Sequence, residues 1–219
     1  IIMDGNGRWA KAQNKERTYG HKVGTQNVRN IAIHANDLNI EALTLYAFST
    51  ENWTRPQKEV AYLMRLPRIF LDEHLQELID NNIKLTAIGK WEELPKATVD
   101  AFKQAIETTK NNTGMVLNLA MNYGSKDEIV TAINALMSRG IKKINEKDIE
   151  GSLMTAHLPP VDLCIRTGGE KRLSNFLLWQ LAYSELYFTN VSWPEFDKEH
   201  LKKAINEFSS RDRRYGGLK

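Results

Sequence analysis

Two stretches of the sequence combine glycines with arginines directly after an apolar run, and the first covers residues 4–8. Gly5 and Gly7 flank Asn6, and Arg8 follows. Glycine lets the backbone approach a ligand closely, successive amides can bind an anion, and a guanidinium donates two parallel hydrogen bonds to a phosphate. Asp4 would repel that phosphate unless a divalent cation lay between them. The stretch therefore predicts either a diphosphate site with a metal or a tight turn capped by Asp4.

The second stretch follows the apolar run 161–165. Arg166, Arg172 and Ser174 surround a pair of glycines at 168–169. Such a cluster of donors suits a diphosphate. The alternative, a solvated basic loop, is less favoured because the glycines coincide with the end of a predicted strand.

Segment 49–55 leaves an apolar run and carries polar residues around a tryptophan, Trp53. A mobile lid that closes over a substrate has this composition. A helix cap at Ser49 or Thr50, with Trp53 packed on the surface, explains the pattern equally well.

Three further residues bear on a polar site. Arg17 and His21 could complete a diphosphate pocket with Arg8, although His21 alone is more typical of a surface or capping position. Glu185 lies in the apolar run 182–188. A carboxylate in such surroundings is either paired in the core or a metal ligand.

Secondary-structure elements must position these residues. In the sequence, β-rich apolar runs alternate with segments of helical periodicity. The predicted helices cover 97–109, 127–137, 147–153 and 198–208, with two earlier ones around 28–38 and 60–79, where Pro67 should divide the second. The predicted strands are 1–3, 42–48, 83–88, 115–121, 163–165 and 185–188. This order predicts an α/β fold: one domain over residues 1–219, with a mostly parallel six-stranded sheet flanked by helices. Ligands of such sheets bind beyond the carboxyl ends of the strands, where the polar stretches lie.

The composition of the chain argues against several classes of protein. The chain has 219 residues, 42% of them hydrophobic, and a net charge of +3, which is too mild to indicate nucleic-acid binding. One cysteine, Cys164, excludes an internal disulfide and favours a reducing compartment, so we expect a cytoplasmic protein. No apolar run reaches the ~20 residues of a membrane span. The apolar opening at 1–3 is typical of a strand end, and we expect further natural residues before it.

Several segments together resemble a known family. The segments 2–10, 46–53, 122–124, 165–170, 172–180 and 213–217 are similar, in order, to signature segments of bacterial undecaprenyl diphosphate synthases, which are cis-prenyltransferases. The resemblance runs through nearly the whole chain. The Asp-Asp-x-x-Asp motif of trans-prenyl synthases is absent from the sequence, which independently favours the cis family.

The resemblance implies an activity and a fold. Members add isopentenyl diphosphate units to an allylic diphosphate, normally farnesyl diphosphate, to make a long polyprenyl diphosphate for cell-wall lipid carrier synthesis. It implies Mg²⁺ as cofactor, a homodimer, a parallel-sheet α/β fold distinct from the Rossmann dinucleotide fold, and peripheral contact with the inner face of the membrane for product release. The acceptor of the lost proton stays open among Asp4, a diphosphate oxygen and a Ser49–Asn52 relay.

The resemblance also assigns roles to residues. Asp4 and Asn52 are expected to be catalytic, with Asp4 and Glu185 tied to the metal. The allylic diphosphate would contact Gly5, Asn6, Gly7, Arg8, Trp9, Arg17 and His21. The mobile loop over the site would comprise Ser49, Thr50, Glu51, Trp53 and Arg55, in addition to Asn52. Isopentenyl diphosphate would contact Arg166, Arg172 and Ser174, together with Arg214 and Gly216 from the neighbouring subunit.

The chain departs from the family pattern at one place. The family usually has Asn-Tyr-Gly-Gly-Arg, whereas here Ser125 and Lys126 follow residues 122–124, so either the loop differs or residues have been lost before 158.

Two alternatives to an enzyme remain. A non-catalytic subunit that supports a partner should lack Asp4 and the arginines, which are present, and a phosphate-binding regulator would bind without turnover.

Overall fold

Parallel strands form the centre of the fold in the computed structural model, which describes residues 1–211. The strands are β1 (Ala42–Ser49), β2 (Lys84–Ile88), β3 (Val116–Tyr123), β4 (Leu163–Arg166) and β5 (Glu185–Phe188). β3 lies between β1 and β2, and β4 pairs with β5. All three pairings are parallel. Because β3 separates β1 from β2, the strand order is not that of a Rossmann fold, as predicted.

The N-terminal segment joins the two groups of strands. Ile2 forms a parallel bridge to Tyr46 of β1 on one side and to Arg166 of β4 on the other. The predicted six-stranded sheet is therefore five strands plus this single bridged residue. The strand predicted at 1–3 is wrong in extent, because Asp4 N donates to Ile2 O at 3.1 Å and the chain turns out of the sheet directly after Ile2.

Eight α-helices are described in residues 1–211. They are α1 (Asn6–Ala12), α2 (Arg17–Asp37), α3 (Gln57–Leu63), α4 (Leu66–Asp80), α5 (Lys96–Thr109), α6 (Ser125–Ser138), α7 (Glu146–Glu150) and α8 (Lys198–Ser210). Pro67 divides α3 from α4 as predicted, since it lies in the first turn of α4, where its missing N–H costs nothing. Helix α7 is shorter than the predicted 147–153. None of the described helices is long and apolar enough to cross a membrane.

Alternating side chains of the strands supply two apolar layers. Leu45 and Leu119 belong to the larger cluster, which also contains Val28 of α2 and Phe70 of α4. Their neighbours Tyr46 and Ala120 belong to a smaller cluster with Phe176, on the other face of the sheet. Both faces are thus covered, as expected for a parallel sheet.

Candidate active site

The polar stretches predicted from the sequence meet at one edge of the sheet. β1 ends at Ser49, β3 at Tyr123 and β4 at Arg166, and the chain leaves the sheet after the bridge at Ile2. Because these segments run parallel, their carboxyl ends share one edge. The structure therefore brings Asp4, the loop after β1 and the loop after β4 together.

Asp4 is fixed by its backbone as well as by its side chain. The Thr167 hydroxyl accepts a hydrogen bond from Asp4 N at 2.9 Å and donates to Asp4 O at 2.7 Å. Trp193 N also donates to Asp4 O. The carboxylate accepts from Gly5 N through Oδ1, and from Arg166 Nη2 through Oδ2 at 2.9 Å. Burial works to raise the pKa of Asp4, but the hydrogen bonds from Arg166 and Gly5, together with nearby guanidinium charge, hold it below its usual value. Asp4 is therefore a placed, ionised carboxylate.

Arg166 is the buried arginine of the site, with 4% of its surface exposed. Besides Asp4, it donates from Nη1 to Ser174 Oγ at 2.8 Å and to the carbonyl oxygen of Arg172. Its Nε is buried without a hydrogen-bond partner in the described residues. These contacts fold the loop after β4 back over the guanidinium, and so bring Arg172 and Ser174 to the site.

Arg8 and Arg172 share a carboxylate at the mouth of the site. Arg8 lies 3.3 Å from Asp4 Oδ2 and 3.3 Å from Glu170 Oε1, and Arg172 pairs with Glu170 Oε2. Both guanidinium side chains are more than half exposed, at 52% and 62%. A ligand with more negative charge than Glu170 can therefore reach these two arginines from solvent.

Glu59 of α3 joins two guanidinium groups and an imidazole on the other side of the site. Its carboxylate accepts two hydrogen bonds from Arg17, at 3.1 and 3.2 Å, and one from Arg55 at 3.1 Å. His21 Nε2 lies 3.2 Å away. Burial of the imidazole lowers the pKa of His21, and Glu59 offsets only part of that effect. Sequence reasoning missed Glu59, although a carboxylate four residues after Arg55 was a usable signal.

The loop after β1 forms a short 3-10 helix, Thr50–Thr54, held to the site by side chains. Ser49 N donates to Asn52 Oδ1, which closes the start of the turn. Trp53 Nε1 donates to Asn122 Oδ1 at 2.7 Å, and Asn175 Nδ2 donates to Glu51 Oε1 at 2.9 Å. The structure shows the helix cap at Ser49, and a role of this turn as a mobile lid stays a prediction. Nothing in the sequence indicated these bonds to Asn122 and Asn175, because Asn122 lies near the end of β3 and Asn175 in the loop after β4.

A cavity of about 590 Å³ opens at this edge. Its polar wall contains predicted site residues: Asp4, Asn6, Gly7, Arg17, His21, Ser49, Glu51, Asn52, Arg55, Arg166, Arg172 and Ser174. Gly5 and Arg8 line an adjoining recess of about 270 Å³, together with Asp4, Arg17 and Glu170. Polar groups from four segments of the chain therefore converge on one space.

The cavity continues between the sheet and the helices, where its wall is apolar. This part is lined by Val28, Ala47, Leu63, Leu66, Phe70, Leu119 and Met121. Its size is within the range of ligand pockets. One end of a ligand bound here would be anionic, and the other end would be hydrocarbon.

Four predicted site residues of the described chain do not line the cavity or its recess: Thr50 and Trp53 lie in the turn after β1, and Trp9 and Glu185 lie elsewhere. Trp9 Nε1 donates to Glu195, and its ring stacks on Tyr19 at 5.9 Å, so Trp9 packs α1 rather than lining the cavity. Glu185 pairs with Leu163 at the start of β4, about 10 Å along the strand from Arg166, and its carboxylate accepts from Arg211 at 2.7 Å. Within one chain, Glu185 is not beside Asp4. Arg214 and Gly216 lie outside the described residues.

The described residues bring few side chains together that could bind a metal ion. No group of three or more His, Cys, Asp or Glu side chains suited to a metal occurs in residues 1–211. Mg²⁺ is often held by one or two carboxylates with substrate phosphates and water completing its shell. Asp4, at the cavity wall, supplies one such carboxylate.

Ser125 and Lys126, where the chain departs from the family pattern, lie in the first turn of α6 and pack against the loop after β4. Ser125 is fully buried, its N donates to Asn175 O at 2.8 Å, and its Oγ accepts from Leu178 N at 2.9 Å.

Comparison with known proteins agrees with this geometry. Residues 2–216 match the model of the family described as "Putative undecaprenyl diphosphate synthase". The chain is 51% identical to an isoprenyl transferase of Bacillus anthracis, over 100% of this chain and 87% of the relative. It is 52% identical to the farnesyl-diphosphate-specific ditrans,polycis-undecaprenyl-diphosphate synthase of Lactiplantibacillus plantarum, over 100% of this chain and 88% of that relative.

A solved structure shares the fold. Lavandulyl diphosphate synthase from Lavandula x intermedia, in complex with dimethylallyl diphosphate, superposes with a TM-score of 0.94 and 37% sequence identity. The match covers 99% of this chain and 96% of that one.

Proposed function

Because this chain belongs to the undecaprenyl diphosphate synthase family, we propose that it transfers an allylic prenyl group to isopentenyl diphosphate and repeats the step to build a polyprenyl diphosphate. Farnesyl diphosphate is the proposed starter, as the name of the relative from Lactiplantibacillus plantarum states for that enzyme. The fold neighbour bound to dimethylallyl diphosphate supports an allylic diphosphate as ligand.

One observation carries the proposal. A single cavity joins an arginine-rich mouth to an apolar interior. Prenyl diphosphates have the same two-part character, with a diphosphate anion at one end and a hydrocarbon chain at the other. A regulator that only bound phosphate would not need the apolar part of the cavity.

The chemistry needs stabilisation of a leaving anion. The allylic C–O bond breaks, and its electron pair leaves with the diphosphate. The π electrons of isopentenyl diphosphate form the new C–C bond, and loss of a proton from the adduct restores a double bond. Arg17, His21 and Arg8 are positioned to bind the departing diphosphate, and preorganised donors of this kind lower the barrier because they need no rearrangement during the reaction.

We propose that Asp4 holds Mg²⁺ together with a substrate diphosphate. When bound, the metal ion would neutralise charge on the leaving group. Arg166 orients the Asp4 carboxylate from a buried position, so the site for the ion is set by the protein before substrate binds. Glu185 as a second ligand stays a prediction.

Release of pyrophosphate tests the proposal. The chain should release one pyrophosphate for each isopentenyl diphosphate consumed, only when an allylic diphosphate and Mg²⁺ are both present. An enzyme-coupled pyrophosphate assay measures this ratio. Pyrophosphate release without isopentenyl diphosphate would indicate a hydrolase, and no release with all components would exclude the proposed transferase.

The division of the mouth into two diphosphate sites predicts separable kinetic effects. Arg17→Ala should raise the KM for the allylic substrate, whereas Arg172→Ala should raise the KM for isopentenyl diphosphate. Each lost charge-assisted contact is worth about 1.5–3 kcal/mol. Steady-state kinetics with each substrate varied in turn provides the measurement. If both variants raised the KM of the same substrate, the assignment of the two sites would be wrong.

A homodimer is proposed as the working form. Exposed apolar side chains lie along α6, with Val130 at 56% and Met137 at 61%, and near β5, with Tyr183 at 76% and Leu186 at 36%. β5 pairs only with β4 among the described residues, so it is an edge strand. An open sheet edge and exposed apolar side chains are each typical of an association surface.

The proposed role of Arg214 and Gly216 in the partner's site predicts complementation between two inactive chains. One carries Asp4→Ala, and the other lacks residues 213–219. In a mixed dimer the intact tail of the Asp4→Ala chain can complete the site of the truncated chain, so mixing should restore activity. Subunit exchange is verified with differently tagged chains. Verified exchange without any recovery would show that the tail does not act in trans.

A further inference from the structure

Glu59 is a buried carboxylate that the proposed chemistry leaves without a role. It is 8% exposed, and it does not belong to the residues that line the cavity. Its three partners, Arg17, His21 and Arg55, all line the cavity. Glu59 therefore lies behind the cationic wall and contacts a ligand only through these side chains.

The contacts of Glu59 use one side of each guanidinium. Arg17 donates to it from Nε and Nη2, which leaves Nη1 beside Gly7, where even a Cβ would come within 2.7 Å of it. Arg55 donates from Nη1 alone. The arrangement holds each side chain and keeps other donors available to an anion in the cavity.

Glu59 also connects three parts of the structure. Arg17 and His21 belong to α2, whereas Arg55 is the residue that ends the lid turn, and Glu59 lies one turn further along in α3. Burial works to raise the pKa of Glu59, but the hydrogen bonds and charges of its partners, led by Arg17, lower it. The carboxylate is thus ionised at neutral pH and binds the lid to the helix that carries the allylic site.

We propose that Glu59 is a positioning residue that aligns Arg17 and His21 for the allylic diphosphate and couples them to the lid through Arg55. The proposal rests on the proposed function for the identity of the ligand. It predicts an effect on one of the two substrates, because Glu59 has no contact with Arg166 or Arg172, the residues assigned to isopentenyl diphosphate.

The chain offers a matched control. Glu77 of α4 makes a similar cluster with Arg29 of α2 and with His74, whose Nδ1 lies 2.9 Å from its carboxylate. None of these three residues lines the cavity. Glu59→Gln and Glu77→Gln therefore remove the same charge from an Arg–His cluster, although Glu77 is the more exposed of the two, and only the first should affect ligand binding.

Calorimetry with farnesyl thiodiphosphate, an analogue that cannot ionise readily, tests the proposal without turnover. Glu59→Gln should weaken its binding about tenfold, which is 1.4 kcal/mol, and Glu77→Gln should leave it within twofold of wild type. In turnover assays, the KM for isopentenyl diphosphate should change less than twofold. Equal effects of the two variants, unchanged analogue binding in Glu59→Gln, or an equal rise in both KM values would each overturn the proposal.

A second variant keeps the proposal testable if Glu59→Gln does not fold. Glu59→Asp keeps the charge but is one methylene shorter, so it cannot reach all three partners together, and the same selective loss is expected. Wild-type analogue binding in folded Glu59→Asp would contradict the positioning role. If wild-type chain bound the analogue but showed no turnover, the proposed transferase would fail while the binding ratios still decided the role of Glu59.

Discussion

Replacing Asp4 with Asn should reduce turnover at least 100-fold, about 2.7 kcal/mol of barrier, in a chain that still folds. The amide can accept the hydrogen bond from Gly5 N, and Thr167 and Trp193 hold the backbone of residue 4 independently of its side chain. The variant loses the negative charge, which is the property needed to hold Mg²⁺ beside a diphosphate. Circular dichroism and steady-state turnover at saturating Mg²⁺ measure the two effects.

Asp100→Asn is a suitable control for the loss of one carboxylate. Asp100 pairs with Lys96 on the exposed surface of α5, remote from the cavity. It should retain wild-type turnover. Asp4→Asn with more than about a tenth of wild-type activity, a barrier change below roughly 1.4 kcal/mol, would remove Asp4 from the catalytic machinery.

Gly20→Ala should destabilise the chain by about 1–3 kcal/mol and disrupt the allylic site. A Cβ at residue 20 would lie 2.0 Å from the backbone oxygen of Asn6 and 3.1 Å from Ala10 Cβ. α1 must therefore move away from α2, and this separates residues 6–8 from Arg17 and His21. A loss of stability would be informative, because Gly→Ala within a helix ordinarily stabilises a protein by about 1 kcal/mol.

Denaturant unfolding and turnover of Gly20→Ala test this close approach. Gly151→Ala is the control, because residue 151 has an ordinary helical φ of −69° and the nearest atom to its Cβ would be 3.3 Å away. It should unfold near the wild-type midpoint. A Gly20→Ala chain as stable and as active as wild type would show that the contact between α1 and α2 does not shape the site.

Many of the residues that gather at the site could be predicted from the sequence, because strand ends follow from the local pattern. Apolar runs ending in Asp4, Ser49 and Arg166 define three parallel strand ends, and parallel strands bring such ends together. Signature segments added the roles of individual side chains. The length of the N-terminal strand was overestimated, since a short apolar run does not reveal where the chain leaves the sheet.

Pairings between distant segments could not be predicted from the sequence. Glu59 binds Arg17 across 42 positions, and Trp53 binds Asn122 across 69. Nothing in the local pattern of either residue specifies its partner, because such contacts depend on how α2, α3 and the loops pack. The same holds for Glu185, whose carboxylate was interpreted as paired or metal-binding and accepts from Arg211 in this chain.

Analysis of the product tests most directly whether this cavity extends a prenyl chain in the cis configuration. The purified chain is incubated with farnesyl diphosphate, radiolabelled isopentenyl diphosphate and Mg²⁺, and the dephosphorylated products are separated by chromatography and examined by NMR. The expected product is a polyprenyl alcohol in which every added unit has a cis double bond and the units from the starter remain trans. A product with trans double bonds in the added units, or no labelled product longer than the starter, would contradict the proposed function.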